Sequence, residues 1–469
     1  MSTTRNAGPD CPISLRPKTT TATKVLIVSA LAVIACCLFS ISASAQTPLP
    51  LGTLNTVGTP SSCSSGSGFY YYVYPNTGIA INMSCQAATV TGCTVNTKAW
   101  SVTIGYLNPV GVVPGVTVAN GLIVLHGGDG GIAPESFALT DAYFRAGYEV
   151  AQVVWADDWE MVYDPFPSPP PPVYGNIQSA ACRPATVFNW VYTSLFLQNV
   201  FNYNNHAGMC ALGDSAGAAA VAYSLAYYNA GSYLDNVELL SGPVLSDISQ
   251  GCQVPAGGSV NVCGGGVQNC GTPQNPYQCG CQLGTGGSTW TLEPTYLSGA
   301  NTAVGKWTND STCNNTYPTW TSGPSEARWL AQSVVDQAPG GSNGAVPSYS
   351  YPNTRMSAWL CRSVQNPNNY NCTANGNNNP NACPNNSSPQ GQIYYANFGP
   401  NNLPGGSNNT YAVYAVDSCG NAEGVGAGVV PGYQPQLFSN PGAPGITAIT
   451  DDMVGYAPYQ IPAGCVARH

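Results

Sequence analysis

Short apolar runs and amphipathic stretches alternate along most of this chain. The segment 99–106 alternates apolar and polar residues, as a half-buried strand does, whereas 121–125 is continuously apolar, as is typical of a buried parallel strand. The stretch 134–146 has helical spacing and carries proline at its start, which favours a helix. The predicted strands are 99–106, 121–125, 149–155, 209–212, 236–240, 355–360 and 410–416, and the predicted helices are 134–146, 181–197, 216–228, 325–337 and 446–456. This alternation predicts the α/β class, with a mostly parallel central sheet flanked by helices on both faces.

The alternation stops near residue 246, which predicts an insertion in the α/β core. Residues 247–354 are rich in glycine, proline, asparagine and cysteine, and we interpret them as a disulfide-rich lid or cap. An asparagine-rich surface loop is predicted at 366–390. The expected organisation is therefore a signal peptide at 1–45, an N-terminal extension at 46–94, the first part of the core at 95–246, the lid at 247–354 and the second part of the core at 355–469.

The first 45 residues have the features of an export signal. Basic residues precede the apolar stretch 25–41, and Ala43-Ser44-Ala45 is typical of a cleavage site before Gln46. A retained membrane anchor is the alternative, because the apolar stretch is at the short limit for a membrane span. We expect cleavage near Ala45, no membrane span in the mature chain, and a location that is secreted, extracellular or periplasmic.

The cysteine content and the charge of the chain limit the metals and partners that are expected. Of the 19 cysteines, 16 lie after the leader, and an even number is expected of a disulfide-bonded protein in an oxidising compartment. Cys279-Gly280-Cys281 is spaced too tightly for the usual zinc pair, so neither a metal nor a cofactor is expected. Charged residues make up only 7% of the chain and the net charge is -9, which argues against a nucleic-acid partner. The oligomeric state stays open.

One sequence motif indicates a class of reaction. Gly213-Asp214-Ser215-Ala216-Gly217 follows the apolar strand predicted at 209–212 and precedes an alanine-rich helix. A nucleophile elbow needs this context, because a sharp turn from strand to helix lifts the serine hydroxyl above the sheet. A second match, 340–344, contains Ser342 but has neither a strand before it nor a helix after it. The sequence therefore predicts Ser215 as the nucleophile of an acyl transfer.

A glycine-rich segment supplies candidate oxyanion donors. His126-Gly127-Gly128-Asp129-Gly130-Gly131 follows the strand predicted at 121–125. In lipases and esterases an HGGG-type segment in this place contributes backbone N–H groups, and the residue after the nucleophile contributes another. The predicted donors are Gly127, Gly128 and Ala216, and each such donor is worth about 3 kcal/mol in the transition state.

These motifs resemble the α/β-hydrolase superfamily, specifically its secreted serine esterase and lipase-like members. The resemblance covers roughly residues 95–465 and implies an α/β-hydrolase fold with an eight-stranded, mostly parallel sheet. It also implies a catalytic triad in the order serine, acid, histidine, with the acid after a late strand and the histidine after the last one. The histidine of the oxyanion segment, here His126, is implied to orient that loop and not to act as the base.

The sequence departs from the family where the catalytic histidine is expected. Asn421 stands in that place, and an amide does not titrate near neutral pH. Of the three histidines, His206 is expected toward the opposite end of the sheet, which leaves two candidates for the base: His469 at the C-terminus, or a water molecule near Asp417. Asp417, at the end of a predicted strand, is the first candidate for the acid. The other positions considered for the acid are Asp157, Asp158, Asp247, Asn371 (as a lost acid), Glu423, and Asp451 and Asp452, which are expected to be exposed on the closing helix.

Two functions are consistent with these residues. The first is a secreted serine hydrolase that cleaves carboxylic esters of a small molecule or a polymer through Ser215. The second is a protein of the same fold that has lost its base and acts as an extracellular binding or surface protein. Labelling of Ser215 by a reactive phosphonate distinguishes the two.

Overall fold

A nine-stranded sheet forms the centre of the protein. The computed structural model describes residues 48–64, 69, 71–73, 80–93, 99–160, 177–240, 242–243, 334, 351, 353–361, 394, 411–416, 444–455 and 464–468. The strands are β1 (Thr53–Ser62), β2 (Tyr71–Val73), β3 (Ala80–Asn82), β4 (Ser84–Thr91), β5 (Trp100–Leu107), β6 (Ala119–His126), β7 (Glu149–Trp155), β8 (Tyr203–Asp214), β9 (Asn236–Leu240), β10 (Arg355–Cys361) and β11 (Tyr411–Val416). The α-helices are α1 (Phe137–Arg145), α2 (Ile177–Ala180), α3 (Cys182–Trp190), α4 (Ala216–Tyr228) and α5 (Pro444–Val454).

The pairing of neighbouring strands makes the central sheet mostly parallel. The order is β1-β4-β5-β7-β6-β8-β9-β10-β11, and β2 and β3 form a separate hairpin. The strands from β7 to β11 in this order are parallel to one another, whereas β5 is antiparallel to both β4 and β7. The predicted α/β class with a mostly parallel sheet is confirmed.

Helices cover both faces of the sheet, as the apolar pattern predicts. On β6, Leu122 and Val124 pack into the core on the side of α3 and α4. Their neighbours Ile123 and Leu125 pack on the opposite side, with α1 and α5. Because side chains alternate across a strand, a continuously apolar strand serves both cores at once. Every residue of α4 is buried, which accounts for its alanine-rich sequence.

Two strands of the central sheet, β1 and β4, lie in the predicted N-terminal extension. β4 pairs with β5, and β1 pairs with β4 at the edge of the central sheet. The described part of 46–94 therefore includes two strands of the central sheet, and the domain boundary at residue 95 stays a prediction. The polar sequence of β1 is consistent with its position, because nearly all of its residues are exposed on the outermost strand.

Several predicted elements agree with the structure and others differ at their ends. β7, α4 and β9 have the predicted bounds. The helix predicted from Pro134 begins instead at Phe137, because the Ser136 side chain accepts a hydrogen bond from Ala138 N and caps it there. The helix predicted at 181–197 is α3 followed by a π-helical turn, Val191–Phe196.

Three disulfides join the described residues, in agreement with the cysteine count. They are Cys63–Cys85, Cys93–Cys182 and Cys210–Cys465. The last one ties the C-terminal segment to the central strand β8. The predicted signal peptide, most of the predicted lid and the asparagine-rich loop lie outside the described residues. Among the helices of the described ranges, none is both long enough and apolar enough to cross a membrane.

Candidate active site

Ser215 occupies a strained turn between β8 and α4. Its φ and ψ are 50° and -107°, a backbone conformation that residues other than glycine rarely adopt. The turn is fixed by a hydrogen bond from Ser215 N to Leu240 O, at 2.9 Å, at the end of the adjacent strand β9. The Ser215 side chain makes no capping hydrogen bond to α4, although serine often does so at this position. Its hydroxyl is therefore not used to hold the helix.

The two glycines of the motif are required by close backbone contacts. A Cβ on Gly213 would lie 2.3 Å from Gly217 O, across the turn. A Cβ on Gly217 would lie 2.0 Å from His126 O, in the segment that follows β6. Side chains at these positions would collide with backbone, so both glycines allow the first turn of α4 to pack against its neighbours. The motif holds α4 directly against the end of β6.

The glycine-rich segment after β6 lies beside Ser215. β6 and β8 are adjacent parallel strands, with His126 paired with Gly213, so their carboxyl ends reach the same edge of the sheet. A Cβ on Gly128 would lie 3.4 Å from Ser215 Cβ. Ala216 is the first residue of α4, where backbone N–H groups have no acceptor within the helix. Gly128, Ser215 and Ala216 are thus brought together at one edge of the sheet.

The fold can be named from these observations. Without β1, the central sheet has eight strands, of which only β5 runs antiparallel to the others. A strained turn at Ser215 joins the central strand β8 to the buried helix α4. The chain has an α/β-hydrolase fold. The serine of such a fold stands on the strand-to-helix turn at the top of the sheet, as Ser215 does here.

Comparisons with known proteins found weak similarities to solved structures of this fold. A putative carboxylesterase from Lactobacillus plantarum WCFS1 aligns over 72% of this chain and 87% of its own, with 12% identity and a TM-score of 0.30. An acetyl xylan esterase from Paenibacillus sp. R4 aligns over 87% and 91%, with 11% identity and a TM-score of 0.33. Acetyl xylan esterase 1 from Thermoanaerobacterium sp. JW/SL YS485 aligns over 78% and 82%, with 9% identity and a TM-score of 0.36. No protein-family model and no curated protein matches the sequence. The α/β-hydrolase assignment accordingly rests on the strand order and the turn at Ser215.

His126 is buried at the start of the glycine-rich segment and is held from two sides. Its Nε2 lies 3.0 Å from Trp155 Nε1 and its Nδ1 lies 3.1 Å from Gly127 O. Burial lowers the pKa of His126 to about 4, because the imidazolium would be desolvated there. The imidazole is therefore neutral near pH 7, and neither of its ring nitrogens is available to Ser215. The loop-orienting role of His126 stays a prediction.

The other histidines are far from Ser215 or outside the described residues. His206 is exposed near the start of β8, nine residues before Ser215, as the sequence predicts. His469 lies outside the described residues, but the residues before it are tied to the same end of the sheet. Val466 bridges to Ala207, and Arg468 N donates to Asp235 Oδ1 at 2.5 Å.

The position of this tail bears on His469 as a base. Asp235 also accepts a hydrogen bond from Met209 N, and Met209 lies six residues before Ser215 along β8. Six residues of strand span about 20 Å. A single residue beyond Arg468 extends the chain by only about 3.8 Å. His469 can reach Ser215 only if the tail leaves its place beside β8.

The candidate acids are distributed differently from the sequence expectation. Asp417, Asp247, Asn371 and Glu423 lie outside the described residues. Asp452 is fully buried and ion-paired with Arg355, so the expectation that it is exposed on the closing helix is wrong. The helix faces the sheet at this position, and the arginine compensates the buried carboxylate. Asp158 accepts a hydrogen bond from Glu160 N in the loop after β7.

Sequence reasoning missed two residues next to the site. Trp155 donates to His126, and Glu135 is buried beside the oxyanion segment, where its backbone N would lie 3.4 Å from a Cβ on Gly127. Trp155 is brought in by the parallel packing of β6 and β7, whereas Glu135 lies in the loop between β6 and α1. No local sequence pattern signals either contact. Among the described residues, no group of three or more histidine, cysteine, aspartate or glutamate side chains could hold a metal ion.

Proposed function

We propose that the protein is a carboxylic ester hydrolase that works by acyl transfer through Ser215. In this mechanism Ser215 Oγ attacks the carbonyl carbon of the ester, and its proton leaves with the departing alcohol. Water then cleaves the acyl-serine ester, releases the acid and restores the hydroxyl. The observation that carries the proposal is the strained turn at Ser215, whose hydroxyl makes no capping bond and which lies against Gly128.

Backbone amides are proposed to stabilise the oxyanion. Negative charge develops on the carbonyl oxygen as Ser215 attacks, and N–H groups placed around that oxygen lower the barrier. The proposed donors are the N–H groups of Gly127, Gly128 and Ala216. The close packing of Gly217 against His126 O supports this role, because it leaves little freedom between the helix end and the loop.

The proton of Ser215 requires an acceptor other than His126. Trp155 occupies His126 Nε2, and burial keeps the pKa of this histidine near 4. Two candidates follow from the sequence, namely His469 and a water molecule beside Asp417. The hydrogen bonds that tie Ala467 and Arg468 to the start of β8 favour the second.

Export is proposed together with the activity. The basic leader, the apolar stretch 25–41 and the cleavage motif before Gln46 support removal of a signal peptide. The three disulfides support folding in an oxidising compartment. Mass spectrometry of the exported protein is expected to find Gln46 at the N-terminus, and a mature chain that retains residues 1–45 would contradict this proposal.

The catalytic proposal is tested by labelling and by hydrolysis. A fluorophosphonate probe is expected to label the wild-type mature protein but not Ser215→Ala, and the wild type is expected to hydrolyse p-nitrophenyl acetate. Ser342→Ala is the matched control, because Ser342 stands in the second Gly-x-Ser-x-Gly sequence and is expected to be dispensable. Equal labelling and equal hydrolysis in the wild type and Ser215→Ala would contradict the proposal and leave the binding-protein alternative.

A further inference from the structure

The indole of Trp155 and the imidazole of His126 form a hydrogen-bonded pair inside the core. These residues end the adjacent parallel strands β7 and β6, respectively. His126 is paired with Val153, so Trp155 lies two residues further along on the same face of β7. Their ring nitrogens are 3.0 Å apart, and the exposed fractions of Trp155 and His126 are 2% and 0%. Solvent cannot substitute for either partner at this depth.

The pair fixes which imidazole nitrogen carries the proton. An indole N–H only donates, so His126 Nε2 must accept and carries no hydrogen. The proton of the neutral ring is then on Nδ1, which donates to Gly127 O at 3.1 Å. The opposite tautomer would place two donors face to face at Trp155 and an unprotonated Nδ1 against the Gly127 carbonyl. The two contacts therefore support one tautomer and exclude the other.

This tautomer determines the orientation of one peptide unit in the oxyanion segment. The Gly127 carbonyl belongs to the peptide whose N–H is that of Gly128, and the two groups of a trans peptide point in opposite directions. With its carbonyl held toward the His126 ring, this peptide directs Gly128 N–H away from the ring. Gly128 itself lies against Ser215, since its Cβ position is 3.4 Å from Ser215 Cβ.

The surroundings of the ring leave it little room to turn. A Cβ on Gly131 would lie 2.4 Å from His126 Cε1, and the rings of Trp159 and Phe188 lie edge-on to His126, with centroids 6.4 and 6.2 Å away. A Cβ on Gly217 would lie 2.8 Å from Gly127 O on the other side of the peptide. The packing limits where the ring lies, and the hydrogen-bond partners at Nε2 and Nδ1 together decide the tautomer.

We propose that Trp155 is a positioning residue for ester hydrolysis. Its indole N–H sets the tautomer of His126, and the His126 ring in turn holds the Gly127 carbonyl. The Gly128 N–H is thereby directed at the oxyanion that forms on the ester carbonyl oxygen when Ser215 attacks. The inference rests on the proposed function for its kinetic consequence. The hydrogen-bond chain from Trp155 through His126 to Gly127 is testable without any activity.

The tautomer is measured directly by nitrogen NMR of protein labelled with ¹⁵N-histidine. The chain has three histidines, so the spectrum is simple, and the His126 signals are assigned by their loss in His126→Gln. The wild type is expected to show His126 protonated at Nδ1 only, with no titration between pH 5 and 9. A wild-type signal from the Nε2-protonated form would overturn the proposal, and this arm does not depend on the folding of any variant at Trp155.

Two phenylalanine variants then separate the hydrogen bond from ring packing. Trp155→Phe keeps an aromatic ring but removes the donor. Trp159→Phe is the matched control, because Trp159 also contacts the His126 ring and has no hydrogen-bond partner for its indole nitrogen among the described residues. The Nε2-protonated tautomer is expected to become populated in Trp155→Phe and to stay absent in Trp159→Phe.

Kinetics with p-nitrophenyl acetate test the consequence for the reaction. Loss of a whole oxyanion donor costs about 100-fold to 1000-fold in kcat, so a misdirected donor in Trp155→Phe is expected to lower kcat at least about 10-fold, with KM changed less than about 2-fold. Equal kcat in Trp155→Phe and Trp159→Phe would overturn the positioning role. Wild-type hydrolysis that does not depend on Ser215 would instead contradict the proposed function, while the NMR result would still decide the hydrogen-bond chain.

Discussion

Arg355 and Asp452 form a buried, bidentate ion pair. The Arg355 Nη2 to Asp452 Oδ1 distance is 2.5 Å and the Nη1 to Oδ2 distance is 2.7 Å, and the side chains of both residues are completely buried. Ser357 Oγ adds a further hydrogen bond to Asp452 Oδ2. The pair joins the last described helix, α5, to strand β10. It thus connects segments separated by nearly a hundred residues on the side of the sheet that carries α1.

Removing one member of this pair should destabilise the fold strongly. Asp452→Asn removes the carboxylate charge that pairs with the buried Arg355, and we expect a loss of about 3–5 kcal/mol in the free energy of unfolding, measured with urea. Asp451→Asn is the matched control, because Asp451 is partly exposed on the same helix, and we expect a change below about 0.5 kcal/mol. Equal losses in the two variants would contradict a structural role for the ion pair.

Glu135 should make stability depend on pH. Burial raises the pKa of Glu135 to about 7, although the hydrogen bond from Ser136 N acts in the opposite direction. The unfolded chain releases this proton near pH 4.3, whereas the folded protein keeps it until about pH 7. The stability contributed by Glu135 is therefore fully present below about pH 4.3 and is lost as the pH rises to about 7, by up to about 3 kcal/mol.

Glu135→Gln should remove this part of the pH dependence. We expect the variant to gain stability relative to the wild type at pH 7.5 and to gain least at pH 4, in urea unfolding at a series of pH values. Glu149 and Glu238 also have raised pKa values because they are buried, so the slope of the difference between the two proteins is the informative quantity. A constant difference across the series would mean that Glu135 does not titrate as described.

Gly217→Ala should disturb both stability and the proposed active site. The added methyl group would lie 2.0 Å from His126 O, so α4 and the oxyanion segment must move apart. We expect a loss of about 1–3 kcal/mol or more in the free energy of unfolding and a fall in kcat for p-nitrophenyl acetate. Gly111→Ala is the control, because nothing lies within 4 Å of its Cβ position, and only the strain of its positive φ, about 1 kcal/mol, is expected. A kcat for Gly217→Ala equal to that of Gly111→Ala would contradict the contact.

His469→Ala should leave ester hydrolysis nearly unchanged. The preceding residues are tied to β8 by the Cys210–Cys465 disulfide and, near the start of the strand, by the hydrogen bond from Ala467 N to His206 O. We expect kcat/KM within about 2-fold of the wild type, because a residue that does not touch the reacting atoms contributes little to the transition state. A fall of 100-fold or more would show that the tail reaches Ser215 and that His469 is the base.

The elements next to Ser215 were predictable because their signals are local. The apolar run of β7, the alanine-rich α4 and the short β9 each carry their periodicity within fewer than 15 residues, and all three have the predicted bounds. The glycine pattern around Ser215 also carries its own context, since strand, turn and helix are consecutive. The sheet positions of β1 and β4 were not predictable in this way, because polar, threonine-rich strands resemble an extension until their pairing partner is known.

Local sequence patterns predict the α/β class, the turn at Ser215 and the glycine-rich segment beside it, and the chain has only three histidines. Contacts between distant segments bury Asp452 against Arg355, place the tail beside the start of β8, and bring the Trp155 indole N–H within hydrogen-bond distance of His126 Nε2. A helix, or a turn from a strand into a helix, is specified by residues close to one another along the chain. The ionisation of a side chain depends instead on its burial and on the charged and hydrogen-bonding groups that distant segments bring to it.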